Sequence, residues 1–177
     1  WLVGQGFTAD LVVLESLGGP NERIRQTRAE TFDLADIAAP VAVAISVTSG
    51  KGFSRASGLP DDLFANDGQI TKRPVRALTL SALAPRAGEL LWDIGSGSGS
   101  ISVEWCLAGG QALAYELRPD RAANIRENAA RFGVEHRLQV IEGPAAKTLA
   151  EHPAPDAVFI GGGGNAALID ALWGLLP

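Results

Sequence analysis

The run Leu90, Leu91, Trp92, Asp93, Ile94, Gly95, Ser96, Gly97, Ser98, Gly99 passes from an apolar strand straight into a turn in which every second residue is glycine. Few folds accept that transition. Glycine is required where the backbone takes positive φ, or where a ligand approaches the main chain more closely than a Cβ would allow. Around this turn the spacing of apolar residues predicts helices over 75–83, 100–107, 120–132 and 165–175, and strands over 90–94, 112–116, 138–142 and 157–160. Strands that alternate with helices imply right-handed crossovers and a parallel sheet covered on both faces, a Rossmann-like α/β architecture. Such sheets bind ligands at the carboxyl ends of their strands.

The first quarter of the chain reads differently. An apolar run over 11–17 has strand length and is stopped by Gly18, Gly19 and Pro20. A charged stretch over 22–37, with Ile24, Phe32, Leu34 and Ile37, predicts a weakly amphipathic helix ending before Pro40, and 41–47 predicts a second buried strand. Two strands and a helix bury too little surface to fold alone, so 1–48 is expected to be a small α/β fragment of another domain. Gly50, Gly52 and Gly58, set among Ser, Lys and Pro, give 49–60 the composition of a linker, and the main domain is expected over 61–177.

Composition narrows the function. At 46% hydrophobic and 20% charged residues, the chain can bury a real core and is not globally disordered. Its single cysteine, Cys106, excludes an internal disulfide and a cysteine-only metal site, which suits a reducing compartment such as the cytoplasm. No group of residues has the spacing of zinc ligands, so no metal is expected. Gly4, Gln5, Gly6 and Asp10 interrupt the apolar start, so neither a membrane span nor a signal peptide is expected. A net charge of -5 argues against general nucleic-acid binding. Locally, Lys72, Arg73 and Arg76 form a basic cluster that could face an anion.

Two acids sharpen the glycine turn. Asp93 precedes its first glycine, and Glu116 ends the next strand at the spacing where a carboxylate accepts hydrogen bonds from ribose hydroxyls. Alone, Asp93 would be a turn or capping acid and Glu116 a solvated strand end; together they point to an adenosine. A dinucleotide loop of the G-x-G-x-x-G type would need glycine where Ser100 stands. A carboxylate is also unfavourable beside a pyrophosphate but favourable beside the ammonium of S-adenosylmethionine (SAM). SAM is therefore the expected cofactor, held by Asp93, Gly95, Ser96, Gly97, Gly99 and Glu116, with NAD as the alternative.

Further motifs carry a family resemblance. Asp61, Asp62, Leu63 and Phe64, the segment Gly68, Gln69, Ile70, Thr71, Lys72, Arg73, Val75 and Arg76, the run 89–104, and Gly161, Gly162, Gly163 and Gly164 together resemble the precorrin-6Y C5,15-methyltransferases (decarboxylating) of cobalamin biosynthesis. In that family a tetrapyrrole-methylase domain precedes a class I SAM-dependent methyltransferase domain, and LESLGGPNERIR over 14–25 resembles the end of the former. The chain stops at Leu176 and Pro177, where a class I domain would start its next turn, so its sheet is expected to be incomplete there.

The resemblance implies methylation of a precorrin at C15 with loss of carbon dioxide from its C12 acetate arm, and a homo-oligomer. It implies that Gln69 and Thr71 lie at the methionine end of SAM, although Thr71 could equally cap a helix. Gly143, Ala145 and Gly161 would add to the cofactor site, with Pro144 standing where many methyltransferases carry an adenine-binding acid. Lys72, Arg73 and Arg76 would meet substrate carboxylates, and Gly162 and Gly163 would leave room for the macrocycle. His136 and His152 are assigned no role, and Trp92, Trp105, Cys106 and Trp173 are expected in the core. A class I methyltransferase acting on RNA, protein or a small metabolite, or a non-catalytic fragment, are the alternatives.

Overall fold

The computed structural model describes residues 1–175 and divides the chain after Phe53 into two units, Trp1–Phe53 and Ser54–Pro177. In the first, β1 (Thr8–Glu15), β2 (Arg23–Arg28) and β3 (Val41–Ser49) form an antiparallel sheet in the order β2-β1-β3. The helix expected over 22–37 is thus a strand followed by irregular chain, and this unit holds strands and 3₁₀ turns rather than an α/β fragment.

The reason lies across the sheet. Residues 23–28 alternate, and in the observed register Arg23 faces Glu15 and Arg25 faces Val13. The buried Glu15 carboxylate accepts from Arg23 Nη2 at 2.6 Å, Arg25 Nε at 2.9 Å and the Ala38 N–H at 2.8 Å. Its pKa is lowered to about 2, chiefly by the hydrogen bond from Arg23. A helix would project these arginines in diverging directions and leave the acid unmatched.

The second unit contains α1 (Arg73–Leu83), β4 (Leu90–Ile94), α2 (Ser100–Leu107), β5 (Gln111–Glu116), α3 (Pro119–Phe132), β6 (Leu138–Glu142), β7 (Ala157–Ile160) and α4 (Ala166–Trp173). The strands make a parallel sheet in the order β6-β5-β4-β7. After β4 the chain first builds outward through β5 and β6, then returns to place β7 on the other side of β4. That reversal opens a crevice at the carboxyl end of β4.

Alternation assigns the two faces. Trp92, Ile94, Leu113 and Tyr115 pack with Leu149, Leu168 and Leu172 on one side. Leu91 and Ala114, which alternate with them, are fully buried on the other. Helix α2 is buried from Ser100 to Cys106, and its polar Ser102 and Glu104 are satisfied inside by Asp93 and Arg76. Trp92, Trp105 and Cys106 are core residues as expected, but Trp173 is 79% exposed, because Leu168 and Leu172, one turn apart, carry the buried stripe of α4.

The sequence of linker composition is only partly a connector. Gly58 and Leu59 donate their N–H groups to the Glu104 carboxylate at 2.7 and 2.9 Å, and Leu59 is buried, so this stretch belongs to the second unit. No helix among the described residues is long and apolar enough to cross a membrane.

Candidate active site

A cleft of about 1120 Å³ opens at the carboxyl ends of β4, β5 and β7. It slightly exceeds the range of roughly 300–1,000 Å³ usual for small-molecule sites. Its floor is the glycine turn after β4. The Gly95 and Ser96 N–H groups both donate to the Tyr115 carbonyl, at 2.9 and 3.1 Å, so the turn is hung from the neighbouring strand.

The three glycines of that turn all have positive φ, of 68°, 61° and 71°, but serve three purposes. A Cβ on Gly95 would lie 2.5 Å from the Gly162 carbonyl oxygen, so backbone packs on backbone between the turn and the glycine run after β7. A Cβ on Gly97 would point into the cleft, with the Gln69 oxygen at 3.9 Å as its nearest neighbour. A Cβ on Gly99 would strike Ile125 Cγ2 at 2.7 Å. Gly99 therefore brings α2 against α3 and is not part of the cleft wall.

The two acids also separate. Glu116 is buried at the end of β5 and forms part of the wall; its Oε2 accepts from the Gly97 N–H at 2.8 Å and its Oε1 from the Arg118 N–H at 3.0 Å. Each oxygen retains acceptor capacity for a ligand. Asp93 is not on the wall. Its Oδ2 accepts from the hydroxyls of Ser96 at 2.7 Å and Ser102 at 2.6 Å, beneath the turn, while its Oδ1 is buried without a hydrogen-bond partner. Burial pushes this carboxyl above its ordinary value, opposed by the bonds from Ser102 and Ser96. The expectation that Asp93 holds the cofactor is corrected accordingly: it braces the turn from below.

Of the segment before α1, Gly68, Gln69, Ile70, Thr71 and Lys72 line the cleft. Lys72 has no ion-pair partner among the described residues, and it occupies the N-cap position of α1, so Thr71 is not the cap. Arg73 and Arg76 are corrections to the expected substrate set. Arg73 Nε turns away to donate to the Gly58 carbonyl at 2.7 Å. Arg76 is fully buried: Nε meets Glu104 Oε1 at 2.7 Å, Nη2 meets Asp61 at 2.9 Å, and further bonds run to the carbonyls of Leu59 and Thr71. Its guanidinium also stacks over Phe64. A cation so completely engaged is a structural hub.

Ser96, Gly143, Ala145, Gly161, Gly162 and Gly163 all reach the cleft. Near the end of β6 the wall is apolar, from Leu117, Pro144, Ala145 and Ala146, consistent with the absence of an acid at Pro144. Arg118, Arg121 and Asn165 line it too and escaped the sequence reading. The arginines look like an ordinary solvated helix start. Asn165 carried a legible signal, since an Asn before an apolar helix is a cap, and its Oδ1 accepts from the Leu168 N–H at 2.9 Å.

A parallel sheet whose first strand ends in a glycine turn and whose second ends in a buried carboxylate is a Rossmann-like nucleotide-binding fold, and its structural neighbours place it in the class I SAM-dependent methyltransferases. A SAM-dependent methyltransferase from Thiobacillus denitrificans, solved in complex with S-adenosyl-L-homocysteine, matches with a TM-score of 0.51 at 26% identity, over 57% of this chain and 43% of its own. Residues 62–177 match the model of the precorrin methyltransferase domain, and the chain belongs to that family. A precorrin-6Y C(5,15)-methyltransferase (decarboxylating) of a Sinorhizobium species is 54% identical over 170 residues, which are 93% of this chain and 41% of the relative. The crystal structure of the C-terminal domain of precorrin-6Y C5,15-methyltransferase from Rhodobacter capsulatus is 59% identical, with a TM-score of 0.69 over 70% of this chain and 67% of that one. The chain thus spans about two fifths of the length of the curated relative.

Proposed function

We propose that the cleft binds SAM and that this chain serves the methylation of a precorrin at C15 and the decarboxylation of its C12 acetate arm. One observation carries the cofactor reading: Glu116 is held at the cleft wall by two backbone N–H groups yet keeps lone pairs free, directly beside the open approach to Gly97. A carboxylate in that state accepts from vicinal ribose hydroxyls, and the bare Gly97 backbone admits a ligand that any side chain would exclude. The family membership and the similarity to a precorrin-6Y C5,15-methyltransferase support the choice of substrate.

When bound, SAM supplies an electrophilic methyl group. Methyl transfer depends on in-line approach, so the task of the chain is positioning and exclusion of water rather than proton transfer. Glu116 holds the ribose, and Gly95, Ser96 and Gly97 receive the amino-acid portion. Gly143, Pro144 and Ala145 would hold the adenine, and Gly161 would face the methionine portion. Gln69 and Thr71 orient the reacting groups as amide and hydroxyl. Lys72, on the wall and without an ion-pair partner among the described residues, takes a carboxylate of the anionic substrate, and Gly162 and Gly163 leave space for a flat macrocycle.

Titration calorimetry with SAM and S-adenosylhomocysteine tests the cofactor, and transfer of label from methyl-labelled SAM to a precorrin tests the substrate. Both are expected to be positive. Glu116→Ala is expected to weaken cofactor affinity about 10- to 100-fold, the effect of losing hydrogen bonds to a charged acceptor. A folded protein that binds neither SAM nor its product would overturn the reading.

A further inference from the structure

Segment 66–70 crosses the front of the glycine turn between two buried anchors. Upstream, Asn128 on α3 grips Ala65 from both sides: its Oδ1 accepts from the Ala65 N–H at 2.7 Å and its Nδ2 donates to the Ala65 carbonyl at 2.9 Å. The same Nδ2 donates to the Ser98 carbonyl of the glycine turn at 2.8 Å. Downstream, the buried Arg76 guanidinium donates to the Thr71 carbonyl. Between these anchors the chain is folded by short local turns: Asn66 Nδ2 donates to the Phe64 carbonyl at 2.9 Å, the Gly68 N–H to Asn66 Oδ1 at 2.9 Å and the Gln69 N–H to Asp67 Oδ1 at 3.1 Å.

One side chain of this strap reaches across to the far bank. Asp67 Oδ2 accepts from Arg121 Nε at 2.9 Å and lies 3.7 Å from Arg118 Nη1, both arginines belonging to the cleft wall beside Glu116. We propose that Asp67 is a positioning residue, a clasp that fastens the strap 66–70 to Arg118 and Arg121 and so slows the escape of the cofactor held beneath it. This rests on the reading of the cleft as a SAM site. The backbone of the strap needs such a fastening: Gly68 is left-handed, with φ of 93° and no atom near its Cβ position, and packing does not hold it down. Asn66, Asp67, Gly68 and Gln69 carry no hydrophobic side chain, and Ile70, half-buried, sits at the end of the strap next to the Thr71 anchor rather than beside the clasp.

Asp67→Asn isolates the effect, because an amide keeps the acceptor for the Gln69 turn and removes the charge that pairs with the arginines. Two measurements apply. In the ligand-free protein, amide hydrogen exchange over 66–70 is expected to accelerate in Asp67→Asn and recover in Asp67→Glu, with the melting temperature unchanged. In stopped-flow displacement of bound S-adenosylhomocysteine, release is expected to be about three- to five-fold faster in Asp67→Asn, the range of a partly exposed ion-pair network. Raising the salt concentration is expected to speed release from the wild type and leave the variant nearly unaffected, since the pairing is screened. Arg121→Gln should match Asp67→Asn, and the double variant should add nothing. Unchanged exchange and unchanged release in Asp67→Asn overturn the clasp alone. A folded wild type that does not bind S-adenosylhomocysteine overturns the cofactor reading together with it.

Discussion

Strands β3 and β5 are both rich in small and branched apolar residues, yet they meet opposite fates. Every residue of β3 is exposed, and Val41, Val43, Ile45 and Val47 each keep about half their surface in contact with water. In β5, Ala112 to Glu116 are buried without a break. The difference is cover, not composition. β5 lies inside its sheet with helices on one face and the Trp92 cluster on the other, whereas β3 is an edge strand. Hydrophobicity states what a strand offers; what meets it is decided by the rest of the fold.

The buried acids repeat the contrast. Glu15 is closed over by Arg23, whose side chain is 44% exposed, whereas Glu104 faces Arg76, which is entirely buried. The largest expected effect follows from this. Arg76→Ala would strand the Glu104 charge and lose the tie between Leu59, Asp61 and Thr71, for about 3–5 kcal/mol of stability in urea unfolding. Arg23→Ala should cost distinctly less, because water reaches the site it vacates. Equal losses would erase the distinction between the two units.

Truncating the two strands themselves sharpens it. Leu113→Ala in β5 is expected to cost about 2–5 kcal/mol, against about 0.5 kcal/mol or less for Ile45→Ala in β3. A large loss from Ile45→Ala would show that β3 is covered in solution. Glycines make a finer probe. Gly18→Ala in the first unit meets only the left-handed backbone penalty of about 1–2 kcal/mol, since no atom lies near its Cβ position. Gly95→Ala adds the clash with Gly162, a further 1–3 kcal/mol or so, and should also abolish cofactor binding.

The mildest effect is a pH dependence confined to the first unit. The Glu15 carboxyl is depressed from 4.5 to about 2 by Arg23, so its stabilising contribution is complete above 4.5 and fades as pH falls toward 2. Amide exchange across β1 and β2 should accelerate over that window. Glu15→Gln should remove the dependence.

Much of the second unit was legible because its signals are local. Helix 100–107 and strands 90–94, 138–142 and 157–160 coincide with the observed α2, β4, β6 and β7. Glu116 and Gly97 were legible from spacing alone, as strand ends and turns report themselves through period and glycine. The first unit misled where its pairing is non-local. Residues 23–28 contain no strong strand formers beyond Ile24 and Thr27, and pairing along β1, with Glu15 opposite Arg23, makes them a strand. Arg73, Arg76 and Asp93 have the right charges near the right motif, but charge does not reveal which way a side chain turns.

By itself, then, the sequence determined a parallel α/β unit with a glycine turn, an acid at the next strand end and a cleft between them. The strands, the helices and the glycine turn depend on residues within one turn or one strand of each other, where backbone stereochemistry acts directly, and the acid is marked by its place at the end of the next strand. Only the tertiary structure decided that Arg76 closes on Glu104, that Asp93 lies beneath the turn, that Gly99 meets Ile125, and that Asp67 reaches Arg121. Each of those contacts joins residues from separate elements, and their partners exist only once burial and hydrogen bonding have brought the elements together.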